Sequence, residues 1–225
     1  MFAVNTYAEI EKREKELNER HIIILLFVRP SLAGADRVIA EFNYLHHNSD
    51  RYCSIYAVGY TDNWDESSYE DYQTIKGPYG ADWFYSDYAF VDFKNKLEER
   101  LKWNYSGDIE LILLQSNPDG SNILNFENYL VIDINYGIRK EYIDSFPRFM
   151  EALVRASKRE VEAKGAVRNI QRAKYKLKGI AESAIDSCKK IPSPIRTILK
   201  DRLFFRTSKS YSQSFNKSKA SGIYI

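Results

Sequence analysis

The sequence predicts an α/β protein, with a sheet of about four or more strands flanked by helices and a basic helical extension at the C-terminal end. Three observations support this fold class. Apolar segments typical of buried strands alternate with segments of helical periodicity. The 225 residues are 44% apolar, which is enough for a sizeable hydrophobic core. The charge changes sign along the chain, from a net −10 over residues 1–150 to a net +12 over residues 151–225.

The chain is predicted to open with a charged helix over about the first 20 residues, where Thr6 and Glu9 have the spacing of a capping box. Residues 21–28 follow as an apolar run without alternation, which indicates a central strand covered on both faces. Between Leu32 and about His47 the apolar positions recur at helical spacing. This strand and helix begin a crossover unit.

A second strand, residues 52–60, completes the crossover and is predicted to pair in parallel with the first. Residues 61–88 then form an insertion rich in acidic and aromatic residues, in which residues 69–75 and 83–85 have strand character. Residues 88–103 carry apolar side chains on one helical face. The insertion therefore separates the parallel unit from the rest of the domain.

Two further strands are predicted at residues 109–114 and 128–135, joined by turn residues and paired antiparallel. A long helical region follows from about residue 145 to residue 190. A break is expected near Gly165 or Gly179, because glycine destabilises a helix interior. The second half of this region has a seam of small apolar residues against which a second copy of the chain could pack.

These elements predict two domains, an acidic α/β domain over residues 1–150 and a basic extension over residues 151–225. Within the extension, residues 195–206 form a basic amphipathic segment, and the serine-rich residues from 208 onward are expected to be a flexible tail. No apolar run approaches the roughly 20 residues that a membrane-spanning helix needs. The charged N-terminal segment and the low cysteine content favour a cytoplasmic protein.

Over residues 21–165 the element order resembles the thioredoxin-like arrangement, with a flavodoxin-like sheet as the alternative. The resemblance is one of topology. Thioredoxin redox chemistry uses a Cys-x-x-Cys pair at the start of the helix that follows a strand, whereas residues 29–34 read Arg-Pro-Ser-Leu-Ala-Gly. Cys53 lies within a predicted strand and is expected to be a buried structural thiol. The resemblance therefore implies a fold without the redox activity.

No cofactor and no metal site is predicted. The chain has neither a glycine-rich phosphate loop nor the G-x-S-x-G motif of the α/β-hydrolases. His46 and His47 are adjacent, so on a helix their side chains point about 100° apart and cannot chelate one ion. His21 is the only other histidine.

The candidate small-ligand site is the edge of the sheet at which parallel strands end. Arg29 and Ser31 follow the first predicted strand, Asp62 follows the second, and Asn117 follows the third. These four side chains are expected to meet at one rim. An enzyme built on this rim would use Asp62 as a base or metal ligand and Arg29 as an anion clamp.

Binding is the favoured function, with a strand-end enzyme or an oligomeric complex subunit as alternatives. Aromatic residues among carboxylates suit a protein partner, and the candidate contacts in the insertion are Tyr69, Tyr72, Trp83 and Tyr85. The basic extension is predicted to contact nucleic acid or an acidic protein, unless it docks on the acidic domain of its own chain. Its candidate residues are Arg168, Arg172, Lys174, Lys176, Lys178, Lys189, Lys190, Arg196, Lys200, Arg202 and Arg206.

Overall fold

A computed structural model of the protein describes residues 1–49, 52–63, 69–101, 103–117, 120, 122–165, 176–188 and 205–207. The strands, in chain order, are β1 (Phe2–Val4), β2 (Ile22–Phe27), β3 (Cys53–Val58), β4 (Tyr60–Thr61), β5 (Gln73–Lys76), β6 (Asp82–Tyr85), β7 (Glu110–Gln115), β8 (Leu130–Asp133) and β9 (Phe205–Thr207). The helices are α1 (Tyr7–Leu17), α2 (Ala35–Ile39), α3 (Phe42–Ser49), α4 (Asp87–Arg100), α5 (Ile134–Arg139), α6 (Phe146–Gly165) and α7 (Leu177–Cys188).

The main sheet is mixed and has six strands in the order β1-β3-β2-β7-β8-β9. Strands β1, β3 and β2 are parallel, whereas β7, β8 and β9 each run antiparallel to the strand before them. The predicted α/β class is confirmed, together with the parallel pairing of β2 with β3 and the antiparallel pairing of β7 with β8. Because β7 runs against β2, this is not the all-parallel sheet of the flavodoxin-like alternative.

Strand β2 is the centre of the hydrophobic core, as its continuous apolar sequence predicts. All six of its residues are fully buried between β3 on one side and β7 on the other. At its end the ring of Phe27 lies 5.0 Å from that of Trp103 and 5.8 Å from that of Phe90, centroid to centroid. Cys53, the first residue of β3, is fully buried, in agreement with its predicted structural role.

The N-terminal segment differs from its prediction, because residues 2–4 form a strand instead of the start of a helix. Ala3 pairs with Ala57, so β1 extends the parallel part of the sheet beyond β3. The helix itself begins where the capping box places it: the Thr6 hydroxyl accepts a hydrogen bond from the Glu9 amide. A strand of three residues has no periodicity to detect, and its pairing with β3 is a long-range contact.

The predicted helix over residues 32–47 is divided into α2 and α3. The insertion contains a second, three-stranded antiparallel sheet in the order β4-β6-β5, which confirms the two stretches of strand character. Trp83 and Tyr85 are only 4% and 1% exposed, and they pack against Phe42 and Tyr60. The prediction that Trp83 and Tyr85 contact a protein partner is therefore wrong, since both rings belong to the core.

The predicted domain boundary at residue 150 falls inside α6. Residues on both sides of it, such as Phe149 and Leu153, are fully buried, so α6 is part of the α/β domain. Helix α7 packs against α6 and buries Leu177, Ala181 and Ala184. These residues belong to the predicted helical seam, and because α6 already covers them they are not available to a second copy of the chain.

Gly179 lies inside α7, so the helical region does not break there. Gly165 is the last described residue of α6, and residues 166–175 lie outside the described residues. Of the basic candidates, Lys176 and Lys178 are exposed at the start of α7, and Arg206 lies in β9 opposite Val131. The other basic candidates lie outside the described residues: Arg168, Arg172, Lys174, Lys189, Lys190, Arg196, Lys200 and Arg202. Within the described ranges no helix is long and apolar enough to cross a membrane.

Gly59, between β3 and β4, is expected to be the most sensitive glycine of the domain. Its φ is +84°, and a Cβ placed there would lie 2.7 Å from the Cβ of Phe90. Gly107 has a similar φ of +83° but no heavy atom within 4 Å of the same position. Gly107→Ala should lower the free energy of unfolding by about 1 kcal/mol, because alanine is strained at positive φ but its Cβ would meet no neighbouring atom.

Gly59→Ala should lower the free energy of unfolding by roughly 2–4 kcal/mol. The new Cβ would overlap Phe90, and this overpacking adds to the strain of alanine at positive φ. Chemical denaturation of the two variants measures the difference directly. Equal destabilisation by both substitutions would contradict the close approach between Gly59 and α4.

Candidate ligand-binding cleft at the strand ends

The edge at which the parallel strands end also contains the start of β7 and the end of β8, because β7 runs antiparallel to β2. Phe27, the last residue of β2, is opposite Glu110, the first residue of β7. At the other end of the pair, Ile22 is opposite Gln115. Asn117, two residues beyond Gln115, therefore lies at the opposite edge of the sheet, and its predicted place in the rim is wrong. The prediction assumed that the third predicted strand was parallel to the first.

Arg29 lies at the predicted edge, but it is already paired. Its Nε and one of its terminal nitrogens are each 2.9 Å from Oδ1 of Asp87, to which the Tyr85 hydroxyl donates a hydrogen bond of 2.7 Å. Burial opposes the charge of Arg29, but Asp87 outweighs this effect and raises the pKa of the guanidinium. Burial and Asp87 also raise the pKa of Tyr85. Arg29 thus connects the loop after β2 to α4, and it is not a free anion clamp.

The other rim candidates do not join Arg29. Ser31 is exposed in the loop before α2, and Asp62 follows β4 in a different cleft. Within the described part of the chain, Arg29, Ser31 and Asp62 share no hydrogen bond or ion pair. The enzyme hypothesis uses Arg29 as an anion clamp, but that guanidinium is already paired with Asp87. A catalytic role for Asp62 stays a prediction.

Asp62 instead lies in a cleft of about 600 Å³ at the ends of β1 and β4. We call it the β1–β4 cleft. Its floor is the short loop between β1 and α1, and its walls are the first turn of α1 and the start of the insertion. The lining residues are Asn5, Thr6, Glu9, Thr61, Asp62, Asn63, Tyr69 and Tyr72.

The capping box holds one wall of the β1–β4 cleft in place. The Glu9 carboxylate accepts hydrogen bonds from the Thr6 hydroxyl at 2.8 Å and from the backbone amide of Asn5 at 3.2 Å. On the opposite wall, the Thr61 hydroxyl donates to the Asn63 carbonyl and accepts from the Asn63 amide. This turn presents Asp62, whose carboxylate has no hydrogen bond or ion pair within the described residues.

Asn5 is a buried polar residue of the cleft with one unsatisfied acceptor. Its side chain is 8% exposed, and its Nδ2 donates only a long hydrogen bond of 3.4 Å to the Tyr72 hydroxyl. Its Oδ1 is buried and has no hydrogen-bond partner. A buried amide oxygen of this kind usually has a partner in a folded protein. The cleft therefore contains an acceptor that a ligand could satisfy.

Two tyrosines form an aromatic corner beside these acceptors. The rings of Tyr69 and Tyr72 are 6.0 Å apart at 85° to each other, and both side chains are half-buried. Burial raises the pKa of the Tyr69 hydroxyl, and the carboxylates of Asp92, Glu9 and Asp71 add to this effect. The cleft thus combines aromatic faces with a negative potential.

The sequence singled out Asp62 and both tyrosines but not Asn5 or Glu9 as site residues. Asn5 was missed because β1 was not predicted, so nothing placed its side chain at a strand end. The capping-box spacing did identify Glu9, although as a helix signal. An asparagine directly after a short apolar run and directly before a capping box is the signal that could have found the cleft.

A second polar cluster lies at the opposite edge of the sheet and is closed to ligands. His21 Nε2 is 2.9 Å from a Glu14 carboxylate oxygen and 2.8 Å from the Ser54 hydroxyl. Serine, histidine and glutamate are the residue types of a hydrolytic triad. Here, however, serine and carboxylate contact the same imidazole nitrogen, whereas a triad uses both nitrogens. Glu14 and Ser54 are also fully buried, so the cluster is structural.

Comparisons with protein-family models, with curated proteins and with solved structures gave no match for this chain. Among the described residues, no group of three or more histidine, cysteine, aspartate or glutamate side chains could hold a metal ion. The class of protein that the structure defines is therefore an α/β domain with a mixed sheet and an acidic, tyrosine-containing cleft.

Proposed function

We propose that this is a binding protein whose basic C-terminal segments contact the phosphate backbone of nucleic acid. The charge distribution carries the proposal. Residues 151–165 have four basic and three acidic residues, and residues 176–188 have two of each. The two helices that pack on the domain are thus close to neutral. Residues 166–175 and 189–225 contain twelve basic residues and one acidic residue, which account for nearly all of the positive charge.

Helices α6 and α7 fix the positions at which the basic segments, residues 166–175 and 189–225, are connected to the domain. The Lys176 backbone amide, just before α7, donates a hydrogen bond to the Glu160 carboxylate near the end of α6. Ser187, near the end of α7, shares a groove with Arg148 and Glu151 near the start of α6. Helices α6 and α7 are therefore antiparallel. One basic segment joins them at one end, and the other leaves at the opposite end, about 18 Å away along α7. Exposed Lys176 and Lys178 add to the first segment.

The acidic domain would orient such a complex rather than bind the nucleic acid itself. With a net charge of −10 over residues 1–150, it repels phosphates. Contacts would be limited to the basic segments and would be made without base reading, since no base-reading motif accompanies them. The affinity should therefore depend strongly on salt.

We also infer that the domain is thioredoxin-like, with a binding role in place of redox chemistry. The order β1-β3-β2-β7-β8, with three parallel strands followed by two antiparallel ones, supports this inference. The loop after β2, where a redox pair would lie, has Arg29 joined to Asp87 and no cysteine.

The test of the nucleic-acid proposal is a salt series with the full-length protein and two charge variants. One variant neutralises Arg168, Arg172 and Lys174 with glutamine. The control neutralises Lys12, Lys15 and Arg37, which are exposed on the acidic domain. Binding to a labelled duplex, a single strand and an RNA is measured by fluorescence anisotropy. Each lost phosphate contact should reduce the slope of log K against log salt by about 0.9 on a duplex.

The proposal predicts that the first variant loses slope and affinity while the control retains both. An unchanged slope in both variants would contradict it. If the wild-type chain binds none of the three nucleic acids at low salt, the proposal fails. An acidic protein would then be the partner to seek.

A further inference from the structure

We propose that the β1–β4 cleft is a binding site for an organic cation, an alkylammonium or guanidinium group of the kind that lysine and arginine side chains carry. This inference is independent of nucleic-acid binding. It concerns the acidic domain, and its ligand has the opposite charge.

Two hydrogen-bond acceptors of the cleft have no partner among the described residues. The Asn5 Oδ1 is buried and unpartnered, and the Asp62 carboxylate is exposed at the mouth with no partner in the described part of the chain. A cation with several N–H donors offers what acceptors of this kind need, whereas a phosphate or carboxylate ligand does not. Glu9 contributes negative charge, although the capping box occupies both of its oxygens.

The aromatic corner favours the same ligand class. Rings at right angles, such as those of Tyr69 and Tyr72, can present a face and an edge to one bound group. Cations bind to aromatic faces, and cages of this type recognise substituted ammonium groups in other proteins. The carboxylates around Tyr69 make the corner more negative, and the Lys96 ammonium nearby is already paired with Asp92 at 2.6 Å.

A metal ion fits the cleft less well than an organic cation. Among the described lining residues, Glu9 and Asp62 are the two that could supply carboxylate oxygens, and those of Glu9 already accept hydrogen bonds. The volume of about 600 Å³ is also in the range of sites for small molecules or a long side chain. The volume of the cleft and the chemistry of its lining therefore both favour an organic cation.

The test compares a charged probe with an uncharged molecule of the same shape. Nα-acetylarginine amide carries one guanidinium group, and Nα-acetylcitrulline amide replaces that group with a neutral urea. Each is titrated into the full-length protein at low salt, with binding followed by NMR shifts of the backbone amides. We expect the arginine probe to bind and to shift Asn5, Asp62 and Tyr69. The citrulline probe should produce no saturable shift.

Two variants locate the interaction. Asp62→Asn removes one exposed negative charge and should weaken binding of the arginine probe by at least about threefold, as expected for a partly exposed ion pair. Asp36→Asn removes an exposed charge outside the cleft and should have no effect. Tyr69→Leu keeps an apolar wall but removes the aromatic face, and should also weaken binding by a few fold.

A second pair of probes distinguishes the source of the cation. An alanine peptide with three arginines is compared with the same peptide carrying citrulline. Binding of the arginine peptide much tighter than the single amide indicates a protein ligand, and equal affinities indicate a small molecule. Equal binding of arginine and citrulline probes, or identical affinities of wild type and Asp62→Asn, would overturn the inference.

Discussion

Glu14→Ala is expected to lower the free energy of unfolding by about 3–5 kcal/mol, because it removes a carboxylate shared by two partners in a buried polar network. Glu14 is fully buried on α1. Its carboxylate accepts a hydrogen bond of 2.5 Å from the Tyr56 hydroxyl on β3 and lies 2.9 Å from Nε2 of His21, just before β2. Without it, the Tyr56 hydroxyl and the His21 imidazole would each lose one partner, and α1 would lose a polar connection to the sheet.

Urea denaturation of matched variants measures this effect. Glu16 is exposed on the same helix, so Glu16→Ala should change the free energy by less than about 0.5 kcal/mol. Tyr56→Phe keeps the ring and removes one hydrogen bond, so an intermediate loss of about 1–2 kcal/mol is expected. If Glu14→Ala were no more damaging than Glu16→Ala, the buried cluster would not have the role described here.

The second large effect is a loss of stability above pH 10. Burial raises the pKa of five tyrosines well above the usual value of about 10, and nearby carboxylates raise it further for most of them; the five are Tyr7, Tyr56, Tyr60, Tyr85 and Tyr105. Below pH 10 these tyrosines are neutral in both the folded and the unfolded chain, so their contribution to the free energy of unfolding does not change with pH. Above pH 10 only the unfolded chain releases their protons, which favours unfolding.

Each such tyrosine should reduce the free energy of unfolding by about 1.4 kcal/mol per pH unit, or about 7 kcal/mol per unit for all five. Unfolding and tyrosinate absorbance should therefore appear together as one cooperative transition above pH 10. Tyr60→Phe should reduce the pH dependence by about one fifth, because Tyr60 is fully buried. Tyr88, which is 66% exposed, provides the control Tyr88→Phe. Gradual tyrosinate formation in a folded chain would contradict this prediction.

The sequence was most informative where local patterns and burial agree. The continuous apolar run of β2 predicted a central strand, and the capping box at Thr6 predicted the start of α1. Both features depend on neighbouring residues alone. The three residues of β1 and the two of β4 form strands only because partners far away in the chain pair with them. No local pattern contains that information.

The candidate site was only partly predictable for the same reason. Asp62 lies at a strand end, as predicted, but Asn117 is at the other edge because β7 runs antiparallel to β2. The aromatic insertion could not be divided from sequence into its buried rings, such as Trp83, and the rings that line the β1–β4 cleft. That division depends on which face of a short hairpin packs on α3, and packing is a tertiary property.

Binding of nucleic acid by the basic C-terminal segments is tested most directly by one measurement. The affinity of the full-length protein for a labelled duplex is determined by anisotropy at a series of salt concentrations from about 50 to 200 mM. Six or more phosphate contacts would reduce the affinity by about a thousandfold over this range. Tight binding at low salt with a steep linear slope is the predicted result. The absence of binding at 50 mM, or binding that is independent of salt, would contradict the claim.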